Sequence, residues 1–183
     1  MTESLDDRTY DLLFGVRRSV RYHDRRRRFY EIWNCMTVGA ATVGGSSAVA
    51  AFLSQPAWEW LPVAFSGAVA VLGAMDLAVG TGKRADQHGD LARQFIALEQ
   101  KFAHGRDLED TEHEELTRER LRIEASEPPV LHLLNVLCHY ELLRSLGDDR
   151  PRPAIPWVRL KLANWISQAE YAQSVRRHQP LSA

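Results

Sequence analysis

The longest uncharged stretch of this sequence constrains its fold more than any other feature. No charged residue stands between Glu31 and Glu59, and the segment from Leu61 to Gly80 carries only Asp76. Each half has roughly 20 residues, and a rise of about 1.5 Å per residue lets it cross a hydrocarbon core of roughly 30 Å. The short linker between the halves contains the helix breaker Pro56. Two apolar helices joined so closely must run antiparallel, so the sequence predicts a transmembrane helical hairpin.

A pair of buried helices in a soluble bundle is the alternative to a membrane hairpin. Such helices normally carry a polar stripe on the face that meets water. Neither apolar segment shows one, which favours the membrane.

Basic residues flank the apolar segments and predict their orientation. The linker between the segments has no Lys or Arg, whereas both outer flanks are basic. Cationic flanks remain in the cytoplasm, which places both termini inside. The flanking cations are also predicted to lie at the membrane surface, where anionic headgroups attract them: Arg25, Arg26, Arg27, Arg28, Lys83 and Arg84.

The predicted fold is an all-α membrane protein in which the hairpin continues into a cytoplasmic helical bundle. One helix is expected to run without a proline from about Asp7 into the first span, and the second span is expected to continue as a cytoplasmic helix. In that continuation, apolar residues at spacings of 4, 3 and 4 predict a packed face. These are Leu91, Phe95, Leu98 and Phe102. The chain then divides into an amphipathic basic helix (1–31), the hairpin (32–81, with spans at about 32–53 and 60–80), a cytoplasmic helical region (82–147), and a linker with a C-terminal amphipathic helix (148–183).

Bulk composition and motif searches narrow the function. The formal net charge is −1 over 183 residues, so no nucleic-acid partner is expected. Cys35 and Cys138 are too few for a metal framework and suggest no disulfide. The segment from Gly80 to Lys83 lacks the remaining residues of a phosphate-binding loop. No cofactor and no enzymatic activity are expected.

Small residues recur every fourth position in both apolar segments. In lipid, such stripes let helix backbones approach closely, because helices there associate through packing rather than the hydrophobic effect. One stripe is expected to pack within the hairpin, and small residues on several faces also predict a homo-oligomer. The stripes are Ala40, Gly44 and Ala48 in the first segment, and Ser66, Ala70, Ala74 and Ala78 in the second.

Asp76 is the single charged residue inside the second segment. A carboxylate at the centre of a membrane span costs roughly 2.5–3.5 kcal/mol, so it needs a polar environment. Folding the hairpin about Pro56 brings Asp76 level with Asn34 and Thr37. Asp76 is therefore a candidate for a bundle interior or water path. The alternative is that it reaches the interface and pairs with Lys83 or Arg84.

Several residue runs on either side of the hairpin resemble a known family. The runs are Arg17-Arg18 through Tyr22, Arg25–Tyr30, Asp76-Leu77, and His88–Glu99. Together with the order of parts, and over residues 10 to 147, they resemble the SLATT family. Its members are two-transmembrane effector modules associated with SMODS nucleotidyltransferases and SLOG domains in bacterial conflict systems.

The resemblance implies an effector that forms a pore in, or disrupts, the bacterial inner membrane. It also implies a partner protein that produces or senses the triggering signal. The resemblance makes several polar residues of the spans candidates to line a path between packed hairpins: Asp76, Thr37, Thr42, Ser46 and Ser47. The alternative is a membrane-anchored scaffold whose hairpin only holds a cytoplasmic docking module in place.

Overall fold

Helices form every regular element in the part of the chain that the computed structural model describes, residues 7–44, 60–102, 108–148 and 155–156. This confirms the predicted all-α class for the described ranges. The helices are α1 (Asp7–Gly44), α2 (Leu61–Val79), α3 (Thr81–Gln100), α4 (Asp110–Glu124) and α5 (His132–Ser145).

Helix α1 runs unbroken for 38 residues, from the polar N-terminal segment through the arginine run into the first apolar segment. No proline interrupts it, and Asp7 places a carboxylate in the first turn, where the helix dipole favours negative charge. The prediction of one long helix that reaches into the first apolar segment is confirmed as far as Gly44. The rest of that predicted span, residues 45–53, lies outside the described residues.

Helices α2 and α3 meet at Gly80, which has a positive φ of 63°. Glycine adopts this left-handed conformation without a Cβ penalty. The Gly80 N–H donates to the Asp76 carbonyl at 2.8 Å, and the Arg84 N–H donates to the Gly80 carbonyl at 3.0 Å. Hydrogen bonds of helical spacing therefore continue through the turn, and the prediction that the second apolar segment continues as a helix is confirmed.

The chain divides into two compact units. The bundle unit combines Met1–Arg25 with Gly89–Ala183, and the helix-pair unit is Arg26–His88. The predicted division at residues 31, 81 and 147 stays a prediction.

Apolar side chains from α1, α3 and α4 form the main core of the bundle unit. Leu91, Phe95 and Leu98 of the predicted stripe are buried in it, and Phe102 packs against it. That stripe is confirmed. The partners of α3 in this core are Leu12 and Val16 of α1, together with Leu116 and Ile123 of α4.

A smaller cluster attaches α5 to α1. It contains Tyr22, Leu134 and Cys138, and the backbone N–H of Leu131 donates to the Tyr22 hydroxyl at 2.9 Å. Burial raises the pKa of the Cys138 thiol to about 11, because the apolar surroundings disfavour the thiolate. Cys138 is therefore a packing residue of this cluster.

We expect Cys138 to resist alkylation while the chain is folded. At pH 8 a thiol of pKa about 11 is on the order of 0.1% thiolate, against roughly 20% for an ordinary cysteine, and only the thiolate reacts. In a Cys35→Ser chain, where Cys138 is the sole thiol, iodoacetamide should react at least about 100-fold more slowly with the folded than with the denatured protein. Equal rates would mean that Cys138 is not held in an apolar environment.

Candidate functional site: a polar line inside the helix pair

Helices α1 and α2 pack antiparallel in the helix-pair unit. At one end, a Cβ added to Gly44 would lie 2.9 Å from Cε1 of Phe65 and 3.2 Å from Cγ2 of Val69. At the other end, the rings of Tyr30 and His88 stack with centroids 5.7 Å apart and planes 13° from parallel. Gly44 is therefore the point of close approach between the two helices, as its place in the predicted small-residue stripe requires.

We expect Gly44→Leu to weaken the helix pair, while Gly39→Leu does not. Both replacements raise helix propensity by a similar amount, but only Gly44 faces a filled space, because nothing lies within 4 Å of a Cβ at Gly39. Overpacking of this kind costs about 1–3 kcal/mol. The melting midpoint in mild detergent, followed by near-ultraviolet circular dichroism, should fall for Gly44→Leu relative to Gly39→Leu. Identical midpoints would contradict the close approach.

Buried polar side chains on α1, α2 and the start of α3 form what we call the polar line. On α1 they recur at spacings of 4 and 7 residues, which places them on one face of the helix. All but Asp76, which is half-buried, are at most 8% exposed. The line consists of Arg26, Tyr30 and Thr37 on α1, Asp76 on α2, and Thr81 and His88 on α3.

One end of the polar line is built around Tyr30. The Arg26 guanidinium donates to the Tyr30 hydroxyl and lies over the Tyr30 ring, with its carbon 4.5 Å from the ring centroid. A cation over an aromatic face is stabilised by the ring quadrupole, and more so when both are shielded from water. Since His88 stacks on the same Tyr30 ring, three side chains from two helices hold one another in a fixed arrangement.

The burial of Arg26 corrects the prediction that all four consecutive arginines lie at the membrane surface. Arg26 is only 7% exposed, because its position on the inner face of α1 turns it toward Tyr30. Arg25 pairs with Glu141 at 3.0 Å, and Arg27 pairs with Glu31 at 2.7 Å. Arg28 is exposed, as are Lys83 and Arg84. The surface role of the exposed cations stays a prediction.

Asp76 is satisfied within its own turn of helix. Its carboxylate accepts a hydrogen bond from the Thr81 hydroxyl, which is 2% exposed. Among the described residues, no ion pair joins Asp76 to Lys83 or Arg84, and the Arg84 Nε donates instead to the Val79 carbonyl at 2.8 Å. The interface-pairing alternative is therefore not the arrangement that the structure adopts.

Asp76 was predicted to lie level with Asn34 and Thr37 of α1. The contact at Gly44 and the ring stack at Tyr30 agree with that prediction. Gly44 lies beside Val69, and Tyr30 lies beside His88, so a residue between 69 and 88 lies level with α1 between 30 and 44. Asn34 and Thr37 fall inside that interval. Thr37 is 8% exposed and donates to the Asn34 carbonyl at 2.9 Å, while Asn34 is half-buried.

The other predicted path residues are placed differently. Thr42 is exposed, and its hydroxyl donates to the Val38 carbonyl of its own helix at 2.9 Å. Hydroxyl groups in helices commonly bond back to their own backbone in this way. Ser46 and Ser47 lie outside the described residues, as does Ala48 of the first stripe.

The two small-residue stripes have different surroundings. In the first, Ala40 and Gly44 are half-buried. In the second, every member is exposed, and the half-buried residues of α2 are Val69, Leu72 and Asp76. The second stripe therefore lies beside the face that packs on α1 and does not form it. Its members are Ser66, Ala70, Ala74 and Ala78.

Large apolar side chains cover the outer surface of the helix pair. Leu77 is 86% exposed and Val63 is 75% exposed on α2, and Met36 is 64% exposed on α1. The helix Val63–Gln100, counted through the turn at Gly80, is the one helix in the described chain that is long and apolar enough to cross a membrane by length and composition. No residue of its most apolar 18-residue window is buried. A core helix of a soluble bundle would bury that window.

Sequence reasoning missed three members of the polar line and the inward position of Arg26. Tyr30, Thr81 and His88 lie next to apolar segments, where they read as ordinary boundary residues. The available signal was the spacing of Arg26, Tyr30 and Thr37, which share a face with Gly44. The aromatic stack depends on which helix faces meet, and one sequence does not specify that.

Comparison with known proteins adds no relative to these observations. The chain matches no protein-family model, no curated protein and no solved structure.

Proposed function

We propose that this protein is a membrane effector whose α1–α2 pair crosses the bacterial inner membrane as a hairpin, with both termini in the cytoplasm. The proposal includes oligomerisation into a pore, or a membrane-disrupting assembly, when a partner protein triggers it. The observation that carries the proposal is the inverted arrangement of the helix pair: its outer surface is apolar and its buried line is polar.

The exposed apolar surface supports a bilayer as the surroundings of the helix pair. Burial of apolar surface stabilises by about 25 cal/mol per Å², and a contiguous exposed patch on both helices forgoes that gain in water. With its 19 residues, α2 has a length of about 28 Å, close to the roughly 30 Å of a hydrocarbon core. Lipid supplies the missing apolar contact along this whole length.

The flanking charges support the proposed orientation. Because α1 and α2 are antiparallel, the arginine run before the first span and Lys83 with Arg84 after the second lie at the same end of the pair. Basic flanks favour the cytoplasmic side, and anionic headgroups attract the exposed Arg28, Lys83 and Arg84.

The second small-residue stripe supports contact between copies. Ser66, Ala70, Ala74 and Ala78 remain exposed, because α1 occupies a different face of α2. In lipid such a stripe allows a neighbouring helix to approach closely, and Ser66 adds a hydroxyl for hydrogen bonding. A second copy of the helix pair packed there brings several hairpins around a common axis.

The path through such an assembly is proposed to involve Asp76. Ionisable groups within membrane spans usually face a bundle interior or a water-filled cavity. Asp76 is half-buried and accepts from Thr81 in the single chain, and in the proposed assembly the packing between copies turns it toward a shared axis. The resemblance to the SLATT family, taken as a prediction, points to the same class of activity.

An anchored scaffold is the second candidate function. The observation that favours it is the bundle unit, which has its own core and a partly exposed surface on which a partner protein could dock. In that case the hairpin contributes attachment alone.

Replacement of the hairpin separates the two functions. Purified protein in liposomes should release a trapped charged dye, and a chain whose residues 61–79 are replaced by an unrelated Leu/Ala span should not. Equal release by both chains would contradict a pore formed by this hairpin. Tight liposomes with both chains, even after addition of a cell extract that contains the triggering partner, would favour the scaffold.

A further inference from the structure

A polar cavity lies inside the bundle unit, between α1, α4 and the start of α5. Its volume is about 230 Å³, which is well above the space needed for a single ordered water. The residues that give it its chemistry are Arg18, Ser19, Tyr22, Glu124, Glu127 and Asn135. The cavity is distinct from the polar line, which belongs entirely to the helix-pair unit.

Arg18 is the side chain in this cavity with unused hydrogen-bonding capacity. Its Nε is buried, and no acceptor contacts it among the described residues. An unsatisfied buried donor costs about 1–3 kcal/mol, and more when the group is charged, so native structures rarely keep one without a reason. The guanidinium stays protonated under all ordinary conditions and cannot relieve this cost by losing its charge.

The nearby carboxylates do not satisfy Arg18, because each is held by another cation or ring. Glu124 accepts from Arg120 Nε at 2.7 Å, and Glu127 lies 3.1 Å from His23 Nε2. Gly15 makes room for the first of these pairs, since a Cβ at that position would lie 2.6 Å from an Arg120 guanidinium nitrogen. Glu124 is thus paired with Arg120 within α4, at a spacing of four residues, and no hydrogen bond joins it to the Arg18 Nε.

We propose that this cavity binds a small organic oxyanion, a phosphate or a carboxylate, whose oxygens accept from the Arg18 guanidinium. A guanidinium offers parallel N–H groups that match the two oxygens of such a ligand. Ser19 and Asn135 provide further polar groups on the cavity wall, and Val130 provides an apolar surface for the organic part of the ligand.

The electrostatic surroundings of Arg18 agree with an anionic ligand. Burial, followed by the neighbouring Arg120, lowers the pKa of Arg18 from its ordinary value, and the carboxylates of Glu124 and Glu127 offset this only in part. Burial and Arg120 both disfavour the charged guanidinium, and an anion in the cavity would oppose both. This site requires neither the membrane hairpin nor the pore, so it stands or falls separately from the proposed function.

Calorimetric titration of the full chain in mild detergent tests the site. The probes are phenyl phosphate and benzoate, with benzylamine as a cation of similar size, all at constant ionic strength in chloride. At least one of the two anions should bind with a stoichiometry of one, and benzylamine should not bind. Arg18→Gln should weaken anion binding at least tenfold, whereas Arg17→Gln should change it less than twofold. Arg17 is the matched control because it pairs with Glu99 outside this cavity.

Two further variants guard against a folding artefact. Arg18→Met should unfold in the absence of anion at the same temperature as the unsubstituted chain or higher, because it removes an unsatisfied buried donor. Ser19→Leu should fill the cavity and abolish anion binding with Arg18 in place. The proposal is overturned if neither anion binds at millimolar concentration, if Arg18→Gln or Ser19→Leu leaves binding unchanged, or if benzylamine binds and the anions do not.

Discussion

Phe95→Ala is expected to lower the free energy of unfolding of the bundle unit by about 3–5 kcal/mol, the largest stability loss of any substitution considered for this chain. The Phe95 side chain is 0% exposed and lies in the core formed by α1, α3 and α4. Its ring also stacks on His23, with centroids 5.6 Å apart and planes 11° from parallel. Truncation leaves a void in that core and removes the stacking partner of a buried histidine.

Ile96→Ala is the matched control for this prediction. Ile96 is the next residue of α3 but is 42% exposed, so its truncation should cost less than about 1 kcal/mol. Urea denaturation in mild detergent, followed by near-ultraviolet circular dichroism, gives both values. Similar losses for the two variants would mean that α3 does not present the Phe95 face to the core.

Ala70→Leu is expected to reduce dye release from liposomes at least tenfold, whereas Ala68→Leu is expected to leave it within twofold. Both alanines are exposed in the single chain and receive the same added side chain. They differ in direction, because two residues along a helix are separated by about 160° around its axis. Only Ala70 belongs to the stripe that is proposed to contact a second copy, and a leucine there prevents close approach of the backbones.

Oligomer mass in detergent accompanies the release measurement. Ala70→Leu should shift the protein toward the monomer, and Ala68→Leu should retain the mass of the unsubstituted chain. If both variants release dye and assemble equally well, the stripe is not the contact between copies. If Ala70→Leu loses dye release but keeps the oligomer mass of the unsubstituted chain, the leucine impairs release without preventing assembly.

Periodicity in the sequence predicted those parts of the structure that depend on a single helix. The stripe through Leu91, Phe95 and Leu98 is buried because residues spaced by 3 and 4 share a helix face, whatever they pack against. The absence of proline likewise predicted α1 as far as it is described. Gly44 was predicted as a packing residue for the same reason, since a stripe of small residues is a property of one helix.

Features that depend on how two helices meet were not predictable in the same way. The stripe through Ala70 and Ala74 looked equivalent to the one through Gly44, yet α1 packs beside it because Phe65 and Val69 fill the space at Gly44. Arg26 looked like its three neighbours, and only the position of Tyr30 distinguishes it. Arg18 is exceptional in part because His23 holds Glu127, which is a consequence of tertiary packing, whereas the Arg120–Glu124 pair lies within α4.

The most direct test of the central claim is the reactivity of two single cysteines in liposomes toward a membrane-impermeant maleimide. In a background without native thiols, made by Cys35→Ser and Cys138→Ala, Val71→Cys lies midway along α2 and Gln87→Cys lies on α3, and both native residues are exposed in the single chain. The single chain therefore shields neither position, and a difference in rate reports the surroundings that the liposome supplies. If the helix pair crosses the bilayer, Gln87→Cys should react at least tenfold faster than Val71→Cys, and the difference should vanish on denaturation. Equal rates in liposomes would contradict the membrane hairpin and, with it, the proposed effector.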